Sequence, residues 1–96
     1  MIIGTAVTSI SLPASVTTVD EYAFHGADKL TTVTFAKSKA TTLIYQNAFK
    51  DCKNLTNVSL PDGAVVRKGA FDGCPNVKVT YKGKTYTQKN MSSLYS

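Results

Sequence analysis

The sequence predicts a mainly β fold: a right-handed solenoid of about three coils with parallel strands, short helical or irregular corners and a C-terminal β-hairpin cap. Three observations carry that prediction. The first is a segment that recurs three times, EYAFHGADKL at 21–30, QNAFKDCKNL at 46–55 and KGAFDGCPNV at 68–77. Its Ala-Phe pairs begin at Ala23, Ala48 and Ala70, so the period is 25 and then 22 residues. The second is an echo in phase with it: VTSISLP at 7–13, LTTVTFA at 30–36, LTNVSLP at 55–61 and a degraded VKVTY at 77–81. The third is that apolar and polar residues alternate within the echo and that Val, Ile and Thr dominate it, which favours a strand over a helix. Self-similarity at this period marks coils that bury their apolar faces only by stacking on one another.

Each coil begins with the strand. In LTNVSLP, Val58 and Leu60 share the inner face, Asn57 and Ser59 point away, and Leu55 packs where the strand starts. Val7, Ile10 and Leu12 form the matching inward set of the first coil, and Leu30, Val33 and Phe35 that of the second. Pro13 and Pro61 end their strands because proline has no N–H for a ladder. A second extended stretch follows (SVTTV, TTLIY, AVVR) and places Val19, Ile44 and Val66 five residues before each Phe. The Ala-Phe pair then sits in a short turn, followed by Gly26, Asp51 and Gly73, residues that tolerate positive φ. Stacking aligns Phe24, Phe49 and Phe71 into an aromatic spine, each ring contributing about 1.5–3 kcal/mol of burial. Ala23, Ala48 and Ala70 stand where a larger side chain strikes the adjacent coil.

The last segment reads differently. VKVTYKGKTYT alternates Val77, Val79, Tyr81 and then Thr85 or Tyr86 around Lys82-Gly83-Lys84, the pattern of a hairpin with a glycine-assisted turn. In NMSSLYS, Asn90 or Ser92 is placed to cap one helical turn carrying Met91, Leu94 and Tyr95. The chain thus divides into a repeat region, 1–76, with coils at about 7–29, 30–54 and 55–76, and a cap at 77–96 that closes the last coil and its sheet edge.

The strand LxxVxLP, an intermediate aliphatic and then AFxxC resemble the BspA-like (Treponema pallidum-type) leucine-rich repeat family from Val7 to about Tyr81. The third repeat matches best; the first has Ala27 where the family usually carries Cys, and the second has Ala36 for the strand-ending proline and extra residues in KSKATT, which implies a bulged loop. The resemblance implies a bacterial or protozoan extracellular, cell-surface protein that binds or adheres to other molecules without transforming them. It also implies that the chain is the C-terminal part of a longer surface protein, with further coils upstream.

Composition narrows the function. With 96 residues the chain is one domain, and no apolar run approaches the length needed to span a membrane. Residues 1–28 carry a net −3 and residues 29–96 a net +8, with Lys78, Lys82, Lys84 and Lys89 crowding the cap. Such a patch either attracts an anionic partner or is a solvated edge that discourages strand aggregation; the scarcity of Arg and the lack of an RNA-binding aromatic motif argue against nucleic acid. His25 is the single histidine and its repeat equivalents are Lys50 and Asp72, so no catalytic residues, metal ligands or cofactor site are expected. Cys52 and Cys74 share one repeat position; buried free thiols, a disulfide and a metal pair are the alternatives, the first favoured because stacked side chains run parallel.

The candidate ligand face is the outward side of the strands, Ser9, Ser11, Thr32, Thr34, Asn57 and Ser59, flanked by Tyr22 and Tyr45 near the corners. Two functions follow from different classes. One is a module that binds an unidentified extracellular protein or glycan through this face. The other is a structural spacer or cap with no ligand, whose apolar patch would lie at the Met1–Val7 edge, where an upstream coil or, by edge-to-edge self-association, a second copy would dock.

Overall fold

The computed structural model of the protein describes residues 7–96, so the greater part of the Met1–Val7 edge lies outside the described residues. Two sheets wind together. The larger contains β1 (Ser9–Leu12), β3 (Thr32–Phe35), β5 (Asn57–Ser59), β7 (Lys78–Tyr81) and β8 (Lys84–Tyr86), in that spatial order. The smaller contains β2 (Thr18–Val19), β4 (Thr42–Ile44) and β6 (Ala64–Val66). All pairings are parallel except β7 with β8. The solenoid of stacked coils predicted by the repeats is therefore the fold, closed by an antiparallel hairpin.

Register follows the repeat. Ile10, Val33, Val58 and Val79 are successive partners across the larger sheet, and Val19, Ile44 and Val66 across the smaller one. Because the side-chain period of a strand is two, a slip of one residue would turn every one of these outward. Leu30, Leu55 and Val77 are fully buried where the strands start, Val77 taking the place that leucine holds in the earlier coils. Ile10 and Leu60 are only half-buried, so the inward set thins at the strand ends.

The corners are the most regular part. Phe24 and Phe49 stack with ring centroids 4.8 Å apart and planes within 4°, and Phe49 and Phe71 at 5.1 Å and 6°. The corner backbones are hydrogen-bonded from coil to coil although they are not strands: Phe24 N–H donates to Ala48 O at 2.8 Å and Phe49 N–H to Ala70 O at 2.9 Å. Ala48 and Ala70 are wholly buried and Ala23, in the first coil, is half-buried. Gly26, Asp51 and Gly73 all have positive φ (70°, 60° and 78°). At Gly73 a side chain would also run into the backbone and carboxylate of Asp51, so glycine is required there twice over.

The cap imitates a further coil with different chemistry. Lys82 and Gly83, both at positive φ, make the two-residue turn of the hairpin. Beyond it Met91 and Leu94 bury against the core, and Tyr95 bridges Val66 to extend the smaller sheet. The Phe71 N–H finds the Tyr95 hydroxyl at 3.4 Å, where a next coil would have supplied a carbonyl. In the same way the thiols of Cys52 and Cys74 donate to Phe24 O and Phe49 O, each at 3.0 Å, and Gln88 Nε2 donates to Phe71 O at 2.8 Å and to Cys74 O at 2.9 Å. Asn90 departs from its expected role: the turn Met91–Ser93 has no side-chain cap, and Asn90 Oδ1 accepts from Thr87 N–H at 2.7 Å. Its side chain closes the bend that leads from β8 into the turn instead.

Candidate ligand face and corner cluster

The outward residues of the larger sheet line up in two columns. Ser9, Thr32, Asn57 and Lys78 are successive partners, as are Ser11, Thr34, Ser59 and Thr80, and β8 adds Thr85 opposite Thr80. Rungs about 4.8 Å apart thus carry one column with five hydroxyls and a parallel one with hydroxyl, amide and ammonium groups. All of these side chains are exposed except that of Thr32, which is half-buried. The threonines one step before the strands behave differently: Thr31 Oγ1 donates to Thr8 O at 3.0 Å and Thr56 Oγ1 to Thr31 O at 3.2 Å. One set of hydroxyls thus ties coil to coil, and the next set faces water.

Tyr22 and Tyr45 lie on the corner after the smaller sheet, away from the strands that carry the two columns. Tyr22 is 52% exposed and adopts φ 61°, a conformation that costs a bulky residue strain and that its repeat equivalents meet with Asn47 and Gly69. Its ring makes an edge contact with His25, centroids 5.4 Å apart, and its hydroxyl accepts from Asn47 Nδ2 at 3.3 Å. His25 Nε2 lies 3.4 Å from Asp51 Oδ2, and Gln46 Nε2 donates to Glu21 Oε1 at 2.7 Å. Glu21 with Gln46 and Tyr22 with Asn47 are residues of neighbouring coils at matched positions, 25 apart, whereas His25 reaches one position past its counterpart Lys50. Tyr45 is half-buried beside an open recess shared with Glu21, Arg67 and Lys68.

The cysteines are free and buried. The neighbouring Cys52 thiol and burial together push the Cys74 thiol well above its ordinary value, so it stays protonated and keeps its hydrogen bond to Phe49 O. Burial likewise raises the Tyr95 phenol. The surface presents hydroxyl and amide groups in register, an exposed aromatic ring and lysines, with His25 and Asp51 both half-exposed.

Among the described residues no helix is long and apolar enough to cross a membrane. A family model described as "BspA type Leucine rich repeat region (6 copies)" matches residues 3–95. No curated protein and no solved structure matches the chain. The family match covers nearly every residue, including all the coils and the cap, and the chain belongs to the BspA-type leucine-rich repeat family.

Proposed function

We propose that the chain is a non-enzymatic binding and adhesion module displayed at the cell surface or outside the cell, and that the outward face of its larger sheet receives a protein or glycan. The observation that carries this reading is the pair of exposed columns headed by Ser9 and Ser11, held in register by parallel pairing. A rigid sheet holds such groups at fixed spacing, so a ligand pays little ordering cost to meet them. Membership of the family supports the same role.

A second reading has its own support. Tyr95 and Gln88 supply side-chain groups to the Phe71 corner where the Phe49 corner uses the next coil's backbone and thiol, as a spacer or capping module with no ligand of its own would need. The two separate on a glycan and extracellular-matrix array probed with the chain itself and with Thr34→Lys/Asn57→Ala. Binding by the parent that the double variant loses, at unchanged melting temperature, places a ligand on the strand face. Silence from the parent leaves the spacer.

A further inference from the structure

We infer that the chain carries a separate anion-binding groove, at one end of the strand face, that takes a sulfated or uronic-acid glycan. This deepens the reading of the chain as a binding module and rests on it. The groove has a volume of about 580 Å³ and is flanked by Lys37 and Lys39 from the loop after β3 and by Lys82 from the hairpin turn. Its apolar lining is Phe35, Leu60 and Pro61, the first and last of them buried, and Ser59 and Thr80 bring hydroxyls from the strand face. Among the described residues the single ion pair joins His25 to Asp51. The three lysines line the groove without a carboxylate partner, and Asp62, the one acid lining it, is bonded to none of them.

Two independent features show that the lysines are positioned. The loop from Phe35 to Ile44 is longer than its counterparts, and both lysines lie in its KSKATT stretch. It is fastened to the next coil, with Thr42 N–H donating to Gly63 O at 2.9 Å and Gly63 N–H to Ser38 O at 3.3 Å. Gly63 is obligatory, because a Cβ there would fall on the Ala40 carbonyl. The second feature is Lys82 itself. A two-residue hairpin turn with positive φ at both positions favours Asn-Gly, yet lysine stands at φ 50°. The strain is borne where the ammonium lies over the Tyr81 ring, 5.5 Å from its centroid, while Tyr81 Oη donates to Asp62 O at 3.1 Å.

A polysaccharide fits this lining better than other polyanions. Sugar rings cover apolar side chains and hydrogen-bond hydroxyls, while their sulfates or carboxylates meet lysines spread along an open groove. The lining has no exposed aromatic face for base stacking.

The test is titration calorimetry of the whole chain with a sulfated glycosaminoglycan oligosaccharide, its desulfated counterpart and polyglutamate. The sulfated probe should bind and weaken with salt, and the desulfated one should not bind. Lys37→Ser/Lys39→Ser/Lys82→Asn should lose at least about tenfold in affinity, whereas Lys84→Ser/Lys89→Ser, outside the groove, should stay within about twofold. Lys82→Asn alone should hold or raise the melting temperature, which keeps a loss of binding apart from a loss of folding. The proposal is overturned if the parent does not bind, if the triple variant binds as before, or if the Lys84/Lys89 control loses as much. Tight binding of polyglutamate would make the groove a site for acidic peptide instead. Ser11→Ala/Thr34→Ala lies outside the groove, so loss there alone would move the glycan to the strand face. Groove binding retained while Thr34→Lys/Asn57→Ala binds the array as the parent does would sink the strand face and leave the groove.

Discussion

Each coil bends twice, and the two bends obey different rules. The Phe corner repeats nearly residue for residue; the bend between the larger and smaller sheets does not. From Leu12 to Val19, Phe35 to Ile44 and Leu60 to Val66 the chain covers seven, nine and six positions. At the Phe corner neighbouring coils touch through stacked rings, wholly buried alanines and backbone hydrogen bonds of 2.8–2.9 Å, so side-chain volume and φ are dictated at each step. At the other bend the chain meets its neighbour chiefly where the long second-coil loop touches Gly63. Close contact at every step keeps one bend the same from coil to coil; sparser contact lets the other change length.

The largest test of that contrast is Phe49→Ala, which empties the middle of the spine. It should cost about 3–5 kcal/mol, enough to unfold so small an array, and urea unfolding monitored by circular dichroism reads it. If the variant melts like the parent, the corner is not the core. Gly63→Ala attacks the one tight contact of the variable bend. It should cost about 1–3 kcal/mol as the loop shifts off Ala40; a neutral result would mean that the second-coil loop is not held in place.

Gln88→Ala asks whether the cap completes the corner as another coil would. Losing hydrogen bonds to Phe71 O and Cys74 O should cost about 1–2 kcal/mol, and an unchanged thermal midpoint would reduce the cap to a hydrophobic lid. Alkaline titration is the gentlest probe. The Cys74 thiol is raised in the folded chain, so it contributes stability that is whole below the unfolded value of about 9.0 and falls as pH rises beyond it. The slope for one proton is at most about 1.4 kcal/mol per pH unit. Tyr95 acts in the same direction. Cys74→Ala should flatten the fall in melting temperature above that pH; equal slopes in variant and parent would assign the loss to other groups.

The repeated elements were legible in the sequence because they depend on local pattern. Val33 and Val58 declare a strand face, Phe24, Phe49 and Phe71 a stack, and Gly26, Asp51 and Gly73 a left-handed residue, each within a few positions of the chain. The other left-handed set, Tyr22, Asn47 and Gly69, was not legible, since a tyrosine in that conformation contradicts its own preference and is held by the corner around it. The substitution of Tyr95 and Gln88 for the groups of a missing coil was equally hidden, because neither resembles what it replaces. The two hydroxyl columns could be read from alternation; Lys78 and the added rung of Thr85 needed the observed pairing.

The sequence by itself determined the path of each coil, which face of each strand is buried and which rings meet, because in a stack every residue meets its own counterpart one period away. Tertiary structure alone decided what lies beside what across unequal distances. It brought Lys37 and Lys39 to Lys82, joined His25 to Asp51, and set the cap's side chains on the last corner. Those encounters depend on loop length and on how two different segments pack, and no period in the chain records either.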